Sequence, residues 1–317
     1  MNETLSRPDL SILVVAYNSG SIIRDCLASI PPACARYSYE ILLIDNGDGN
    51  TADLVATHFP ETRIVPSRGN VGFAAGNNAL AGQARGRYLL LLNPDVILKH
   101  EALDRLMDAT KIYPDAAAWG GVTLDANNQP DLGNTVHVPS LHEMASRILG
   151  RSIANRSGHP AITSDEEVEA LSGSFVMFSR SAWDAVGGLD ERYFLYCEEV
   201  DLFYRLALQG HRFRRIAGAM AFHDIGHGQS ASPLRELYLN AGVMQFTRLH
   251  WSGTRSTVAF LLIWISSLQR FLAGKLLGRF KPGLARTAEK QRLVALNPQS
   301  WRHGYHPTKG LLSRMPI

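Results

Sequence analysis

Cysteine is scarce in this sequence. Three of the 317 residues are cysteines, Cys26, Cys34 and Cys197, and their spacing matches no metal-binding pattern. An odd and sparse set predicts reduced thiols in the cytosol rather than the disulfide framework of a secreted protein. The opening residues, MNETLSRPDL, have neither a basic start nor an apolar core, so the sequence does not predict a secretory signal.

Long apolar runs are also lacking. Residues 258–265 form an eight-residue apolar run. A membrane-spanning helix needs about 20 apolar residues, so we do not expect this segment to cross a bilayer alone. The composition is otherwise that of a globular protein, with 45% hydrophobic and 19% charged residues. The length fits one large α/β domain with an appendage.

Charge is unevenly distributed along the chain. Residues 253–317 carry eleven Lys and Arg residues against one acid, Glu289, a net charge of +10. Residues 1–252 carry 21 basic and 28 acidic residues, a net charge of −7. This asymmetry predicts a catalytic domain over residues 1–252 and a basic, partly amphipathic helical tail over residues 253–317 that meets an anionic surface.

Two anionic surfaces fit such a tail, a lipid membrane and a nucleic acid. The tail has no recognised nucleic-acid motif, and it places Arg270, Lys275, Arg279 and Lys281 between leucine and phenylalanine residues, the pattern of an interfacial helix. We therefore expect a membrane surface, and no nucleic acid, as partner. The alternative is a core helix packed on the catalytic domain, or a contact between subunits of an oligomer.

Short apolar runs alternate with helical patterns through the first third of the chain. This alternation predicts a mostly parallel central sheet flanked by helices. The predicted strands are 10–16, 39–45, 62–66 and 87–93, and the predicted helices lie near 20–30, 50–58, 72–83 and 100–113. The later predicted elements are a strand near 117–123, a long loop or subdomain over 125–169, a strand over 171–178, a helix over 198–209, a strand pair over 213–223 and helices over 232–250 and 256–280.

Polar residues stand at the ends of three predicted strands. Tyr17 and Asn18 follow the first strand, Asp45 ends the second, and Asn93 and Asp95 follow the fourth. One polar strand end means little, but three at the carboxyl edge of a parallel sheet predict a ligand site. The Asp95 carboxylate can hold Mg²⁺ or Mn²⁺ against a diphosphate there, because hard divalent cations take oxygen ligands.

Three acids open the helix predicted from residue 198. Glu198, Glu199 and Asp201 directly follow an aromatic and apolar run at 193–196. Acids are common in a first helical turn because they interact well with the helix dipole. The aromatic run, however, lowers the local polarity and can raise the pKa of one carboxyl group, as a general base requires. These acids are therefore candidate catalytic residues.

His223 closes the last predicted strand and is a candidate second metal ligand. Imidazole is a better ligand for Mn²⁺ than for Mg²⁺. A lone histidine becomes a plausible metal ligand when a nearby aspartate already binds the cation. The pair His223 and His227 also raises zinc as an alternative. No third or fourth ligand follows at zinc-like spacing in the sequence, so zinc is disfavoured.

A glycine-rich stretch at 69–78 precedes and opens a predicted helix, where backbone N–H groups can cradle a phosphate. The stretch, GNVGFAAGNN, is not G-x-G-x-x-G, and it follows the third strand rather than the first. This argues against a dinucleotide-dependent dehydrogenase.

Taken in order, these segments resemble the family 2 inverting glycosyltransferases, particularly their bacterial rhamnosyltransferase-like branch. The resemblance covers roughly residues 9 to 250. The matching segments are 14–18 (VVAYN), 43–46 (LIDN), 70–78 (NVGFAAGNN), 91–95 (LLNPD), 173–174 (GS), 187–191 (GGLDE), 198–202 (EEVDL) and His223.

The resemblance implies a GT-A fold, in which a nucleotide-binding α/β sheet merges with an acceptor-binding half, here with a C-terminal helical extension. Asp95 stands at the last acid of the family's D-x-D metal motif, and Asn93 replaces the first acid. His223 falls at the downstream metal-ligand position. The residues implied to line or shape the nucleotide-sugar site are Ala16, Tyr17, Asn18, Asp45, Asn70, Gly72, Phe73, Asn77 and Asn93.

The family's catalytic base is the second residue of a Glu-Asp pair, and Glu199 occupies that position here. Glu for Asp keeps the carboxylate and adds a methylene. Glu198 and Asp201 are supporting or alternative acids. The implied reaction transfers a sugar with inversion, in a Mg²⁺- or Mn²⁺-dependent way, from a nucleotide-sugar to a hydroxyl of a glycan or lipid-linked acceptor.

Within that branch we expect L-rhamnose from dTDP-L-rhamnose, bacterial cell-surface polysaccharide or glycolipid as product, and a peripheral location on the inner face of the cell membrane. Donors with UDP or GDP are alternatives. A nucleotidyltransferase is a second alternative, although it normally has a basic, glycine-rich loop after the first strand. An inactive nucleotide-sugar-binding relative is a third, although it would be expected to lose the acids retained here.

Overall fold

The computed structural model describes residues 7–130, 134–150, 162–223 and 232–305. The chain divides into two compact units: a first unit of Met1–His137, Gly158–Asp190 and Glu199–Asp224, and a second of Val138–Ser157, Glu191–Glu198 and Ile225–Ile317. The domain boundary predicted after residue 252 stays a prediction. His227, considered above as a zinc ligand, and residues 306–317 of the predicted tail lie outside the described residues.

The secondary structure is mixed, with helices and strands alternating along the first unit. The strands are β1 (Leu10–Ala16), β2 (Tyr39–Asp45), β3 (Arg63–Val65), β4 (Tyr88–Leu92), β5 (Val96–Leu98), β6 (Ala116–Leu124), β7 (Thr135–Val136), β8 (Glu166–Glu167), β9 (Ala170–Leu171), β10 (Phe175–Ser179) and β11 (Arg212–His223). The helices are α1 (Ile23–Ala28), α2 (Ile30–Ala33), α3 (Asn50–His58), α4 (Gly72–Gln83), α5 (Ala102–Ile112), α6 (Leu141–Ile148), α7 (Arg180–Ala185), α8 (Glu198–Leu208), α9 (Pro233–His250), α10 (Gly253–Leu277) and α11 (Pro282–Leu296).

Nine strands of the first unit form one sheet in the order β3-β2-β1-β4-β10-β6-β11-β5, with β8 paired to β11. The first four strands in that order are parallel, whereas β10 runs antiparallel to both of its neighbours. Alternate residues of β1 belong to two different hydrophobic clusters, Ile12 and Val14 to one and Leu13 to the other. The strand is apolar throughout because both faces of the sheet are covered.

The elements of the first half follow the sequence prediction closely. The predicted bounds of β1, β2, α3 and α4 are those observed. Their apolar runs end at clear polar or glycine boundaries, which fixes strand and helix ends well.

One prediction for the later chain was wrong. Residues 213–223 were expected to form a strand pair, but Arg212–His223 is one strand whose pairing with β6 shifts register between Arg215 and Met220. The stretch 125–169 was expected to be a loop or a subdomain, and its described part contains β7, α6 and β8. Helix α6 begins at a capping residue, Ser140, whose hydroxyl accepts a hydrogen bond from the Glu143 backbone N–H at 3.2 Å.

Helix α4 lies unusually close to β1, which brings its N-terminal turn to the edge of the sheet. A Cβ atom added at Gly76 would lie 3.0 Å from both methyl groups of Val15. Ordinary carbon contacts are longer than this. The absence of a side chain at Gly76 therefore sets the distance between the helix and the strand beneath it.

The second unit is helical. Helix α10 packs against α6, α9 and α11, and the buried indole of Trp301 donates a hydrogen bond to the Val294 carbonyl at 3.0 Å. The Tyr305 hydroxyl contacts the carbonyl oxygens of Leu195 and Tyr238. This contact fixes the segment 191–198, which precedes the predicted catalytic acid, within the helical unit.

Candidate functional site

The carboxyl ends of β1, β2 and β4 lie at one edge of the sheet because these strands are parallel. The register places Ala16 beside Asp45, and the Asn46 backbone N–H donates to the Ala16 carbonyl at 2.8 Å. At the neighbouring strand, the Asn93 N–H donates to the Ser174 carbonyl at 2.9 Å. The polar strand ends predicted from the sequence are thus at one edge of the sheet, as the position of ligand sites in such sheets requires.

The loops after β1 and β2 touch each other at Asn18 and Gly47. Asn18 has a left-handed backbone, with φ of 52°, a conformation that Asn tolerates better than most residues. A Cβ atom added at Gly47 would lie 2.6 Å from the Asn18 Oδ1 atom and 2.8 Å from its backbone nitrogen. Tyr17 is 58% exposed, so its ring is accessible at this edge as the predicted nucleoside pocket requires.

Asp45 is buried, and backbone N–H groups of the residues that follow β2 donate hydrogen bonds to its carboxylate. One oxygen accepts from the Gly47 N–H at 2.8 Å and the other from the Ala52 N–H at 3.1 Å. The carboxylate therefore fixes the turn and the first residues of α3, in the manner of an Asx turn. Sequence reasoning assigned it to base contact and missed this structural role. Its contact with a base stays a prediction.

The first turn of α4 is shaped by side chains that hydrogen-bond to its backbone. Asn70 Oδ1 accepts from the Gly72 N–H at 3.3 Å, and Gly72 has a φ of 87°, which favours glycine. Asn77 is buried, and its amide donates to the Phe73 carbonyl of the same helix at 3.0 Å. Asn70, just before the helix, and Asn77, within it, thus support the shape of the predicted donor-site floor.

Asn46 is a polar residue of this site that the sequence prediction did not single out. Its Nδ2 atom donates to the Gly72 carbonyl at 3.0 Å. Its Oδ1 atom is buried and accepts no hydrogen bond from the described part of the chain. Because a buried amide oxygen without a donor is unfavourable, this atom is available to a ligand group. Its place directly after the second strand was the signal in the sequence.

Strand pairing brings the two predicted metal ligands together. Strand β5 is antiparallel to β11, with Val96 opposite His223, so Asp95 comes next to His223. The Asp95 Oδ1 atom lies 3.6 Å from His223 Nε2. Asp95 Oδ1 and His223 Nδ1 are both buried and lack a hydrogen-bond partner among the residues that the structure describes. Such a pair fits a divalent cation that takes one carboxylate and one imidazole.

This pair alone is not a complete metal site. Across the described ranges 7–130, 134–150, 162–223 and 232–305, no group of three or more His, Cys, Asp or Glu side chains is arranged to hold a metal ion. Mg²⁺ and similar ions are commonly held by one or two protein carboxylates together with substrate phosphates and waters. Two protein ligands are therefore consistent with a cation that binds together with a diphosphate.

Glu199, the predicted base, lies in an environment of low polarity. Burial raises the pKa of its carboxyl group from 4.5 to about 6, although the backbone N–H groups of Glu199 and Gly173 hydrogen-bond to it and oppose the shift. Its Oε2 atom is buried and has no hydrogen-bond partner within the described chain. A carboxyl group with this pKa is mostly ionised at neutral pH and still accepts a proton readily, as a general base should.

Gly173 lies between Glu199 and Phe73, at the start of α4. A Cβ atom at Gly173 would lie 3.1 Å from the Phe73 ring and 3.9 Å from the Glu199 Cβ atom. The phenyl ring, the backbone of the loop before β10 and the first turn of α8 thus meet at one point. The first unit therefore supplies an aromatic ring, Phe73, close to the base. The sequence prediction had relied on the aromatic run at 193–196 for this purpose.

The two residues before α8 have an uncommon backbone conformation. Tyr196 and Cys197 have φ angles of 73° and 71°, and such left-handed residues other than glycine cost roughly 1–3 kcal/mol each and cluster at functional sites. Within the second unit, Gly242 of α9 packs against them, since a Cβ atom there would lie 2.4 Å from the Tyr196 carbonyl oxygen. This packing maintains the strained approach to the helix.

Glu198 and Asp201, the other two predicted acids, are buried. Glu198 belongs to the second unit, where its charge helps burial to raise the pKa of Tyr305. Asp201 Oδ2 lies 2.6 Å from Arg205 Nε, and Arg205 donates to the carbonyls of Val186 and Gly188 at 2.7 and 2.8 Å. This arrangement gives Asp201 a structural role in holding the Gly187–Gly188 turn. The catalytic roles of both acids stay predictions.

Residues 11–172 match the family described as "Glycosyl transferase family 2". The chain is 32% identical over 254 residues to the N-acetylglucosaminyl-diphospho-decaprenol L-rhamnosyltransferase of Mycobacterium tuberculosis, covering 72% of this chain and 80% of that protein. It is 28% identical over 232 residues to the rhamnosyltransferase WbbL of Escherichia coli K12, covering 68% of this chain and 83% of that protein.

Solved structures of similar fold include a mannosyltransferase from Pyrobaculum calidifontis in complex with GDP-Man and Mn²⁺. It has a TM-score of 0.57 and 14% identity over 92% of this chain and 86% of that one. The structure of GalNAc-T7 with UDP, GalNAc and Mn²⁺ has a TM-score of 0.60 and 12% identity over 92% of this chain and 57% of that one. The predicted fold class, an α/β GT-A fold with a central sheet flanked by helices, is confirmed.

Proposed function

This chain belongs to glycosyl transferase family 2, and from that premise we propose that it transfers L-rhamnose from dTDP-L-rhamnose to a hydroxyl of a lipid-linked glycan, with inversion at the anomeric carbon. Glycosyltransferase activity follows from the family. The similarity to two rhamnosyltransferases over more than two thirds of this chain supports the choice of sugar. The name of the mycobacterial relative supports a lipid diphosphate acceptor that carries N-acetylglucosamine.

The observation that carries the mechanism is the Glu199 carboxylate, with its raised pKa and an oxygen that has no hydrogen-bond partner in the described chain. In our proposal, this oxygen removes the proton from the acceptor hydroxyl as the hydroxyl oxygen attacks the anomeric carbon of the donor. The bond from that carbon to the nucleotide diphosphate breaks on the opposite face, which inverts the configuration. General-base catalysis of this kind contributes roughly 10²–10⁴-fold to the rate.

Asp95 and His223 are the proposed holders of Mg²⁺ or Mn²⁺. The distance of 3.6 Å between Asp95 Oδ1 and His223 Nε2, and the lack of a hydrogen bond to the buried Asp95 Oδ1 in the described residues, support this assignment. A divalent cation there supplies charge that stabilises the diphosphate leaving group. The structural neighbours solved with Mn²⁺ share the fold.

The nucleoside is proposed to bind where the loops after β1 and β2 meet. Tyr17 offers an accessible ring, and an aromatic face suits a nucleobase. The Asn46 Oδ1 atom offers an acceptor without a donor in the described chain. Asp45 holds this loop in position through two backbone N–H groups.

A donor carrying GDP or UDP is the second candidate for the nucleotide. The structural neighbours were solved with GDP-Man or with UDP, and their low identity to this chain leaves the nucleotide open. A nucleotidyltransferase is disfavoured by membership of the family. The inactive relative is disfavoured because a buried carboxyl group with a raised pKa is retained at the position of the base.

We also propose that the protein works at the inner face of the cell membrane, where a lipid-linked acceptor is accessible. Helix α10 is long and apolar enough to cross a membrane by length and composition. Its basic surroundings and one-sided burial favour a peripheral arrangement.

The donor assignment can be tested by binding of dTDP, UDP and GDP to the full chain by calorimetry, each with and without Mn²⁺. We expect dTDP to bind most tightly and Mn²⁺ to strengthen its binding. Tighter binding of UDP or GDP would replace the proposed donor while leaving the proposed site intact. Failure of all three to bind in the presence of Mn²⁺ would contradict the proposed function.

A further inference from the structure

Helix α10 exposes a row of large apolar side chains. Its buried residues are mostly small or polar: Ser256, Ala259, Ile263, Ser266, Ser267 and Gly274. Its large exposed hydrophobic residues are Val258, Leu261, Ile265, Leu272 and Leu276, followed at the end of the helix by Leu277. The first five recur at intervals of three, four, seven and four residues, so they form one face of the helix. A helix that only covers a protein core has the opposite pattern.

The inner side of α10 is partly polar. It faces a cavity of about 30 Å³ whose lining includes Ser266, Ser267 and Arg270 from α10, with Glu236 and Gln291 from its neighbours in the second unit. A hydrogen bond of 3.1 Å joins the Gln291 amide to the Glu236 carboxylate. Polar groups, together with Ile263 and Met144, thus occupy the side on which a soluble helix normally buries its leucines.

The charge around the exposed face has one sign. Residues 253–288 contain the exposed Arg255, Lys275, Arg279, Lys281 and Arg286 and no acidic residue. An anionic membrane surface suits such a segment, because the apolar helix face can insert among the lipids and the basic residues can contact the anionic headgroups. Two copies of this face placed against each other would bring like charges together, which disfavours a dimer through the same surface.

We propose that α10 lies in the plane of an anionic lipid bilayer, with the face formed by Val258, Leu261, Ile265, Leu272 and Leu276 inserted among the lipids. This inference rests on the proposed function, since it brings the enzyme to a lipid-linked acceptor. Beyond the proposed function, it specifies which surface contacts the membrane, how the helix is oriented and which lipids it meets.

An in-plane orientation fits the packing of α11 better than a spanning one. Helix α11 lies close against α10, since a Cβ atom added at Gly274 would lie 2.4 Å from the Ala288 Cβ atom. It exposes Arg286, Glu289 and Arg292. A spanning α10 would carry these charged side chains into the hydrocarbon, where charges are strongly disfavoured. An α10 lying at the interface leaves them in water.

The test is binding of the full chain to vesicles of phosphatidylglycerol and phosphatidylcholine, measured by sedimentation. The double variant Leu272→Glu/Leu276→Glu changes two exposed side chains and should fold normally. We expect its partition coefficient to fall at least about tenfold, because two apolar contacts are lost and two negative charges face an anionic surface. Ile112→Glu, at an equally exposed apolar residue at the end of α5, should bind as the unchanged chain does.

Three results would overturn the inference. The first is equal vesicle binding by the double variant and the unchanged chain. The second is a loss of dimer on gel filtration in the double variant with no loss of vesicle binding, which would assign the face to a second copy. The third is resistance of the bound chain to alkaline extraction, which would indicate a spanning helix.

Binding of the nucleotide is measured on the same samples to separate the inference from the proposed function. If the proposed function fails, nucleoside diphosphates bind to none of the proteins, whatever the vesicles show. If only the membrane inference fails, the nucleotide binds equally to all of them while the vesicle result contradicts the proposal.

Discussion

Replacement of Glu199 by Gln should make the protein more stable and nearly inactive at the same time. The carboxyl group is buried with a pKa of about 6, above its ordinary value of 4.5. Folding therefore favours its neutral form, and its ionised form is unfavourable in the folded state. Glutamine keeps the size of the side chain and one acceptor oxygen without the charge.

The sign of the stability effect follows from the raised pKa. The protonated carboxyl group stabilises the folded state fully below about pH 4.5. This stabilisation is lost as the pH rises through about 6. The rise of the pKa from 4.5 to about 6 corresponds to about 2 kcal/mol of unfavourable free energy once the group is ionised. We therefore expect the free energy of unfolding of Glu199→Gln to exceed that of the unchanged chain by up to about 2 kcal/mol at pH 8 and by little at pH 4.5.

The activity effect has the opposite sign. A base with a pKa of about 6 is about 10% ionised at pH 5 and about 90% at pH 7. The kcat of the unchanged chain should thus rise about tenfold between these values and level off above pH 7. Removal of the base should lower kcat by roughly 10²–10⁴-fold while the affinity for the nucleotide stays the same.

Asp201→Asn is the matched control, because it removes a buried carboxylate from the same helix. Asp201 is paired with Arg205 at 2.6 Å, so loss of its charge leaves a cation without its partner and should destabilise the fold by roughly 3–5 kcal/mol. Urea denaturation and a pH–rate profile of each variant measure both effects. A less stable Glu199→Gln protein at pH 8, or a flat profile between pH 5 and 7, would refute the reasoning.

Three further predictions concern the rest of the site. Asp95→Asn and His223→Ala should each weaken Mn²⁺ binding measured by calorimetry with nucleoside diphosphate present; unchanged affinity would remove both from the metal site. Gly173→Ala should lower kcat with little change in nucleotide affinity, because its methyl group presses on the aromatic ring beside the base; unaltered kcat would contradict this. Asp45→Asn should lower the free energy of unfolding by about 1–3 kcal/mol, and an unchanged urea midpoint would show that its two backbone hydrogen bonds contribute nothing.

The order of elements in the first half of the fold was predictable because each strand is an uninterrupted apolar run with polar ends. β1 and β2 were predicted with their observed bounds for this reason. β11 was misread as two strands because Gly218 and its small neighbours resemble a turn. In the structure the chain continues past Gly218, where a Cβ atom would lie 3.1 Å from Arg105, and the pairing with β6 absorbs the irregularity as a register shift.

The meeting of Asp95 and His223 could be proposed from the resemblance to the family but not from the sequence pattern alone. It depends on β5, a strand of three residues that pairs antiparallel with β11. A run of three residues carries no periodicity that distinguishes a strand from a loop. Short strands of this kind form because a neighbour is already in place.

The roles of the other acids depended on backbone groups that only the tertiary fold brings near. The sequence located both Asp45 and Asp201. It could not show that backbone N–H groups hydrogen-bond to the Asp45 carboxylate, or that Arg205 hydrogen-bonds to the Asp201 carboxylate. The raised pKa of Glu199 was predicted from neighbouring aromatic residues. The shift is present, and its main cause is burial of the carboxyl group.

The central claim is inverting transfer from a nucleotide-sugar with Glu199 as the base. The most direct measurement is NMR of the product formed from dTDP-L-rhamnose, Mn²⁺ and a synthetic prenyl diphosphate that carries N-acetylglucosamine, with the unchanged chain and Glu199→Gln in parallel. We predict a rhamnosylated product whose anomeric configuration is opposite to that of the donor, formed by the unchanged chain and nearly absent with the variant. A product with retained configuration, or equal product from the variant, would contradict the account.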